Sequence, residues 1–157
     1  MKRPILLVLV AALACAVGLS LTAQEANVSH GRTFGLGIQA DYPFGGLVSA
    51  RYWFSDTFAL EETAFVSATT AGTDASLTTR ALYRVADAST VDFYVAPGAS
   101  LYFSPAREEP TAFSLVGGIE FDYVAAPNLA WNIEFGVVLT SAGSVNMCLG
   151  TGVHFYF

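Results

Sequence analysis

The chain is predicted to be all-β, an antiparallel up-and-down eight-stranded transmembrane β-barrel. Apolar residues alternate with small or polar ones in segment after segment, most clearly from Val145 to Phe157. A period of two places one strand face against an apolar medium and the other away from it. The segments run about ten residues, the length a tilted strand needs to cross a bilayer. Hydrophobic residues make up 54% of the chain and charged residues 13%, about half the usual charged share.

Turn-forming clusters divide the chain into eight expected strands. The first is Arg32 to Tyr42, and Pro43-Phe44-Gly45 leads into Gly46 to Phe54. Ser55-Asp56-Thr57 turns the chain into Phe58 to Ser67. A loop expected over Thr69 to Ala75, carrying Gly72 and Asp74, precedes Ser76 to Val85. Ala86 to Thr90 then connects to Val91 to Phe103, and the polar Ser104 to Thr111 follows. Ala112 to Val124, Ala130 to Thr140 and Ser144 to Phe157 complete the set, joined by Ala125-Ala126-Pro127-Asn128 and Ala142-Gly143. An even number of antiparallel strands closes with both chain ends at one rim and leaves no free edge, as lipid demands. Phe135 to Phe157 contains no Asp, Glu, Lys or Arg, but its glycines and strict alternation make it two strands around a turn, not a spanning helix.

The alternation assigns faces. Outward positions include Leu36, Ile38, Tyr42, Val48, Tyr52, Tyr83, Phe113, Leu115, Trp131, Ile133, Leu149, Val153, Phe155 and Phe157. Outward aromatics collect at two levels: Phe54, Phe93, Phe121, Tyr123, Trp131, Phe155 and Phe157 low, with Tyr42, Phe103 and Phe113 high. Two such bands match the interfacial girdles of a membrane barrel. The third strand is ambiguous, because Glu61 and Glu62 cannot both point inward without a bulge.

Inward positions carry Gln39, Asp41, Arg51, Arg80, Arg84, Asp92, Tyr94, Glu120, Asp122, Asn132, Glu134, Asn146 and His154. Arg51, Arg80, Arg84, Asp92, Glu120, Asp122 and Glu134 are expected to form a lumen ion-pair network, with Arg51 and Arg80 on either side of the third strand and its Glu61 or Glu62, and Arg84 and Asp92 flanking one turn. An eight-stranded barrel is just wide enough for side chains to fill it. The same charges could instead line a path, since acids outnumber arginines inside and many inward positions are glycine or serine. Glycines could equally make room for arginine and aromatic side chains, or relieve the curvature of a small barrel.

The start of the chain reads as an export signal over residues 1–23. Lys2 and Arg3 precede an apolar run from Ile5 to Leu13, with cleavage expected after Ala23. Lipidation at Cys15 is the rival reading, weakened by Ala12-Leu13-Ala14 before it. Residues 24–31 form a short periplasmic leader and 32–157 the barrel. Without the signal, five arginines and no lysine remain against thirteen acids, which excludes nucleic-acid binding. Cys148 is then the only cysteine, so no internal disulfide is possible.

An exported chain of such strands resembles the small bacterial outer-membrane barrels of the OmpA/OmpX kind over its whole mature length. The most specific element is the end, where Phe157 follows Phe155 and Val153 in alternation. The resemblance implies an assembly signal at Phe157, Phe155 and Val153, with the barrel assembly machinery and periplasmic chaperones as transient partners. Outer-membrane lipid is the permanent surrounding, and a monomer is expected. Several expected external loops are shorter than those of relatives that act as receptors; Arg107, Glu108 and Glu109 lie in one of the two long enough to present a surface.

Catalysis is not expected. Some barrels of this type remodel lipid with a serine and histidine at the external rim. Here His30 precedes the first strand beside Ser29, and His154 faces inward near the opposite end. No sequence pattern nominates a nucleophile with base and orienting acid, a metal-ligand cluster or a phosphate-binding loop, so no cofactor is expected. Two functions remain: a plugged structural or surface-interaction barrel, or a narrow, weakly cation-preferring pore or carrier.

Overall fold

The computed structural model describes residues 32–43, 46, 48–69, 72–88, 90–104 and 111–157. The export signal, the leader with His30, Cys15, and the loop with Arg107, Glu108 and Glu109 lie outside the described residues.

Eight strands follow one another: β1 (Phe34–Tyr42), β2 (Val48–Trp53), β3 (Phe58–Thr69), β4 (Gly72–Ala88), β5 (Val91–Phe103), β6 (Thr111–Tyr123), β7 (Ala126–Thr140) and β8 (Val145–Tyr156). Each pairs with its neighbour in sequence, and β8 returns antiparallel to β1, closing the barrel. Phe157 N–H donates to Phe34 O at 2.8 Å, extending that closure to the last residue.

The strand register sets the height of every residue. Starting from Leu129 on β7, one row of cross-strand partners runs through Phe155, Leu36, Ala50, Glu62, Thr79, Ala99 and Phe113. It returns to β7 at Leu139, ten residues beyond its start. Ten residues of strand tilted by about 40° rise about 25 Å, the height of a barrel's lipid-facing band.

The exterior is apolar. Ile38, Tyr42, Phe113, Leu115, Phe135, Met147 and Leu149 are all exposed. Rings of the low aromatic belt meet in three groups: Phe34 stacks on Phe157 and Phe155 meets Phe157 edge-on, Phe121 stacks on Trp131, and Phe54 lies between Tyr52 and Phe58. Tyr52, assigned outward, is only 8% exposed because the Phe54 ring closes over it at 4.7 Å. Asn146, assigned inward, is exposed near the upper end of β8.

Two expectations are revised and one open choice is settled. The loop expected from Thr69 to Ala75 is largely hairpin, since β3 and β4 stay paired up to Thr69 and Gly72. Thr69 and Thr73 favour strand once the partner supplies the hydrogen bonds, and polarity alone reads as loop. Ala126-Pro127-Asn128 likewise belongs to β7, Tyr123 pairing directly with Ala126. The third strand carries no bulge: Glu61 points in and Glu62 out, and the register shifts fall near Arg84 and Asp122 instead. The β7–β8 connection turns at Gly143, whose φ of 85° suits a residue without Cβ.

Candidate functional site: the charged lumen

The strand period of two sends every second side chain inward, and the register decides which of them meet. Arg51 on β2 lies opposite Glu61 on β3, and Glu61 lies opposite Arg80 on β4. Arg51 Nη2 contacts Glu61 Oε1 at 2.9 Å, and Arg80 Nη1 lies 3.6 Å from Glu61 Oε2. One carboxylate therefore bridges two guanidinium groups.

Each arginine also reaches across the lumen. Arg51 Nη1 donates to Glu120 on β6 and to the Tyr156 hydroxyl at 3.2 Å. Arg80 donates to Glu134 on β7 at 2.5 Å and to Asp41 on β1 at 2.8 Å. Tyr94 OH donates to Glu134 at 2.6 Å, and Tyr156 OH to Glu120 at 3.0 Å. The amides of Gln39 and Asn132 donate to the same carboxylate group, Glu134, from either side. Arg51, Arg80, Glu61 and Glu134 are each 0% exposed, and buried charges persist only when paired and hydrogen-bonded in this way.

Two further pairs lie towards the lower rim. Arg84 contacts Asp92 at 2.9 Å, donates to Asp56 O at 2.8 Å, and holds its guanidinium 4.3 Å above the Trp53 ring. Asp122 is bound by Arg32 at 2.5 Å, and Arg32 also donates to Pro127 O and lies over the Tyr156 ring. Of the seven residues expected in the lumen network, Arg51, Arg80, Glu120 and Glu134 join through Glu61. Arg84 and Asp92 form a separate pair, and Asp122 takes Arg32, whose Nη1 approaches Glu120 at 4.0 Å.

Sequence reasoning left Arg32 out, placed Asp41 inward without a partner, and left open whether Glu61 or Glu62 lies between Arg51 and Arg80. The signal for Arg32 was its place just before the first alternating residue, where a long side chain can bend back into the rim. Glu61 could be placed only by knowing which of two adjacent acids faces in.

Glycines make the network fit. A Cβ on Gly118 would lie 2.2 Å from Tyr94 Cζ, and one on Gly35 would lie 2.7 Å from Tyr156 Cε1. The two tyrosines thus lie flat across glycine backbone and reach their carboxylates.

His154 is also inside. Its Nε2 lies 2.9 Å from Ser49 Oγ and 3.4 Å from Glu61, and Ser49 Oγ donates to Glu61 at 3.0 Å. This serine was not anticipated from sequence. Serine and carboxylate address the same imidazole nitrogen, whereas a hydrolytic relay places them on opposite nitrogens. All three residues are 0% exposed, so no substrate reaches them. Cys148 is likewise a buried packing residue. No group of three or more His, Cys, Asp or Glu side chains is arranged to hold a metal among the described residues.

The residues of the expected assembly signal lie on the outer face at the lower rim, Phe155 and Phe157 exposed and Val153 half-buried. Charge inside, hydrocarbon outside and aromatic rims together make the polarity of a transmembrane barrel of the outer-membrane type.

No protein-family model and no curated protein matches the chain. Among solved structures it is similar to Ail, the attachment invasion locus protein of Yersinia pestis, in complex with the heparin analogue sucrose octasulfate. That likeness has 14% identity over 79% of this chain and 94% of that one, with a TM-score of 0.42. The Yersinia pestis outer membrane protein Ail in a phospholipid bilayer nanodisc is similar at 16% identity over 79% and 99%, with a TM-score of 0.40.

Proposed function

We propose that this chain is exported by residues 1–23, assembled through Phe157, Phe155 and Val153, and resident in the bacterial outer membrane as a plugged barrel. Its role is structural support of the envelope and display of its external loops, including Arg107, Glu108 and Glu109. The observation that carries this reading is the burial of the charges at the centre of the lumen. Arg51, Arg80, Glu61, Glu134 and His154 are each 0% exposed, and a pore needs a continuous wet path.

The test is single-channel recording from the mature chain refolded into a planar bilayer, with insertion verified by a heat-dependent gel shift. A silent bilayer with folded protein supports the plug. Discrete, reproducible current steps overturn it in favour of a narrow cation-preferring pore.

A further inference from the structure

Three carboxyl groups stand in one row at the lower mouth of the barrel. Asp87 on β4 lies opposite Asp92 on β5, and Asp92 lies opposite Glu120 on β6. Residues paired in this way share a face, and like charges directly opposite repel. Asp122, two residues beyond Glu120, adds a fourth. The arginines of this end are divided among several partners. Arg32 binds Asp122 and approaches Glu120 at 4.0 Å, and Glu120 also meets Arg51. Arg84 serves Asp92 at 2.9 Å, but its guanidinium is shared with the Asp56 carbonyl and the Trp53 ring.

Asp92 is the central member of the row. It is 4% exposed, and its Oδ1 has no hydrogen-bond partner among the described residues. As the second residue of β5 it comes just before Phe93 of the low aromatic belt, so it stands at the watery edge, outside the apolar band. Burial first, and then the charges of Asp87, Glu120 and Asp122, push its carboxyl up to about 6 against the pull of Arg84. The ladder that holds it is already interrupted, since the β4–β5 register slips between Arg84 and Ala86.

We propose that the lower mouth is a proton-sensitive latch: Asp92 holds a proton while the start of β5 packs against β4 and β6, and its ionisation loosens that end of the wall. The charged groups that face it are Arg84 and Asp87 from β4, with Glu120 and Asp122 from β6. A neutral Asp92 ends the repulsion along the row, whereas an ionised one restores it beside a single shared guanidinium. A carboxyl raised by folding contributes stability below its ordinary value of 3.8 and loses it as pH rises through about 6. The barrel is therefore expected to weaken from pH 5 to pH 8, not to strengthen.

The inference turns on the closed barrel and not on its role in the envelope, so the mature chain is folded in nonionic detergent micelles, which carry no titrating headgroup. Urea unfolding is followed by the heat-dependent gel shift at pH 5 and pH 8. Amide protection is read at Val91 to Tyr94, corrected for the intrinsic effect of pH on exchange. The folded-to-unfolded ratio is expected to fall about tenfold across that range, the weight of one pKa unit, and protection to fall with it. Asp92→Asn is expected to remove both changes. Asp87→Asn, which removes the facing charge, is expected to reduce both, and it stands in if Asp92→Asn does not fold. A wild-type barrel as stable at pH 8 as at pH 5, a pH dependence that survives the substitutions, or protection at Val91 to Tyr94 that ignores pH overturns the proposal.

Discussion

Arg51 and Glu61 face each other directly across the β2–β3 ladder and close a 2.9 Å ion pair that water does not reach. Glu61 also lies within 3.6 Å of Arg80, so among the described residues it is the one acid that links the two halves of the network. Replacing it removes one partner from each of two buried guanidinium groups, leaving Arg51 with Glu120 and Arg80 with Glu134 and Asp41. Glu61→Ala is expected to destabilise the barrel by about 3–5 kcal/mol, as for a broken buried pair. Urea unfolding in lipid vesicles, followed by the heat-dependent gel shift, measures this; a loss below about 1 kcal/mol would show that Glu120, Glu134 and Asp41 hold the two arginines without Glu61.

Gly118 holds the ring of Tyr94 against the wall. Gly118→Ala forces the ring off Glu134 and is expected to cost about 1–3 kcal/mol through overpacking. Combining it with Tyr94→Leu should recover part of that loss, because the two changes meet at one contact and do not add. Strict additivity in the double-mutant cycle would refute the contact.

Arg84 stacks over Trp53 and pairs with Asp92. Arg84→Met keeps the stem and removes the charge, leaving Asp92 without its guanidinium. Trp53 emission, read in a Trp131→Phe background, is expected to shift as the ring loses its cation. Unchanged emission would place the arginine elsewhere in the lipid-embedded protein.

Phe157 joins the barrel seam twice, through its backbone bond to Phe34 and through a ring stacked on the same residue at 6.3 Å. Phe157→Ala keeps the backbone bond and removes the stacking. Less protein should reach the outer membrane in cells, while refolding into vesicles should change little. An equal loss in both settings would make Phe157 a packing residue and not an assembly signal.

Alternation alone was enough to foresee eight strands, their faces and the two aromatic levels, because a period of two is local and both faces meet media of opposite polarity. The same locality explains the failures. Ser and Thr above the apolar band look like loop until a partner strand supplies their hydrogen bonds, as β4 does for β3.

Which charges meet was a different matter. Arg32 and Asp122 are ninety residues apart, and Ser49 and His154 more than a hundred; only the register of a closed barrel brings them together. The choice between Glu61 and Glu62 also belongs to the whole fold. Either acid satisfies the local pattern, but the one that faces in must bridge Arg51 and Arg80. The other is then left at mid-height on the outer wall. Sequence determined the element type and the two-sided chemistry of each strand; tertiary closure decided the pairings, because they depend on shear and circumference, which no single strand contains.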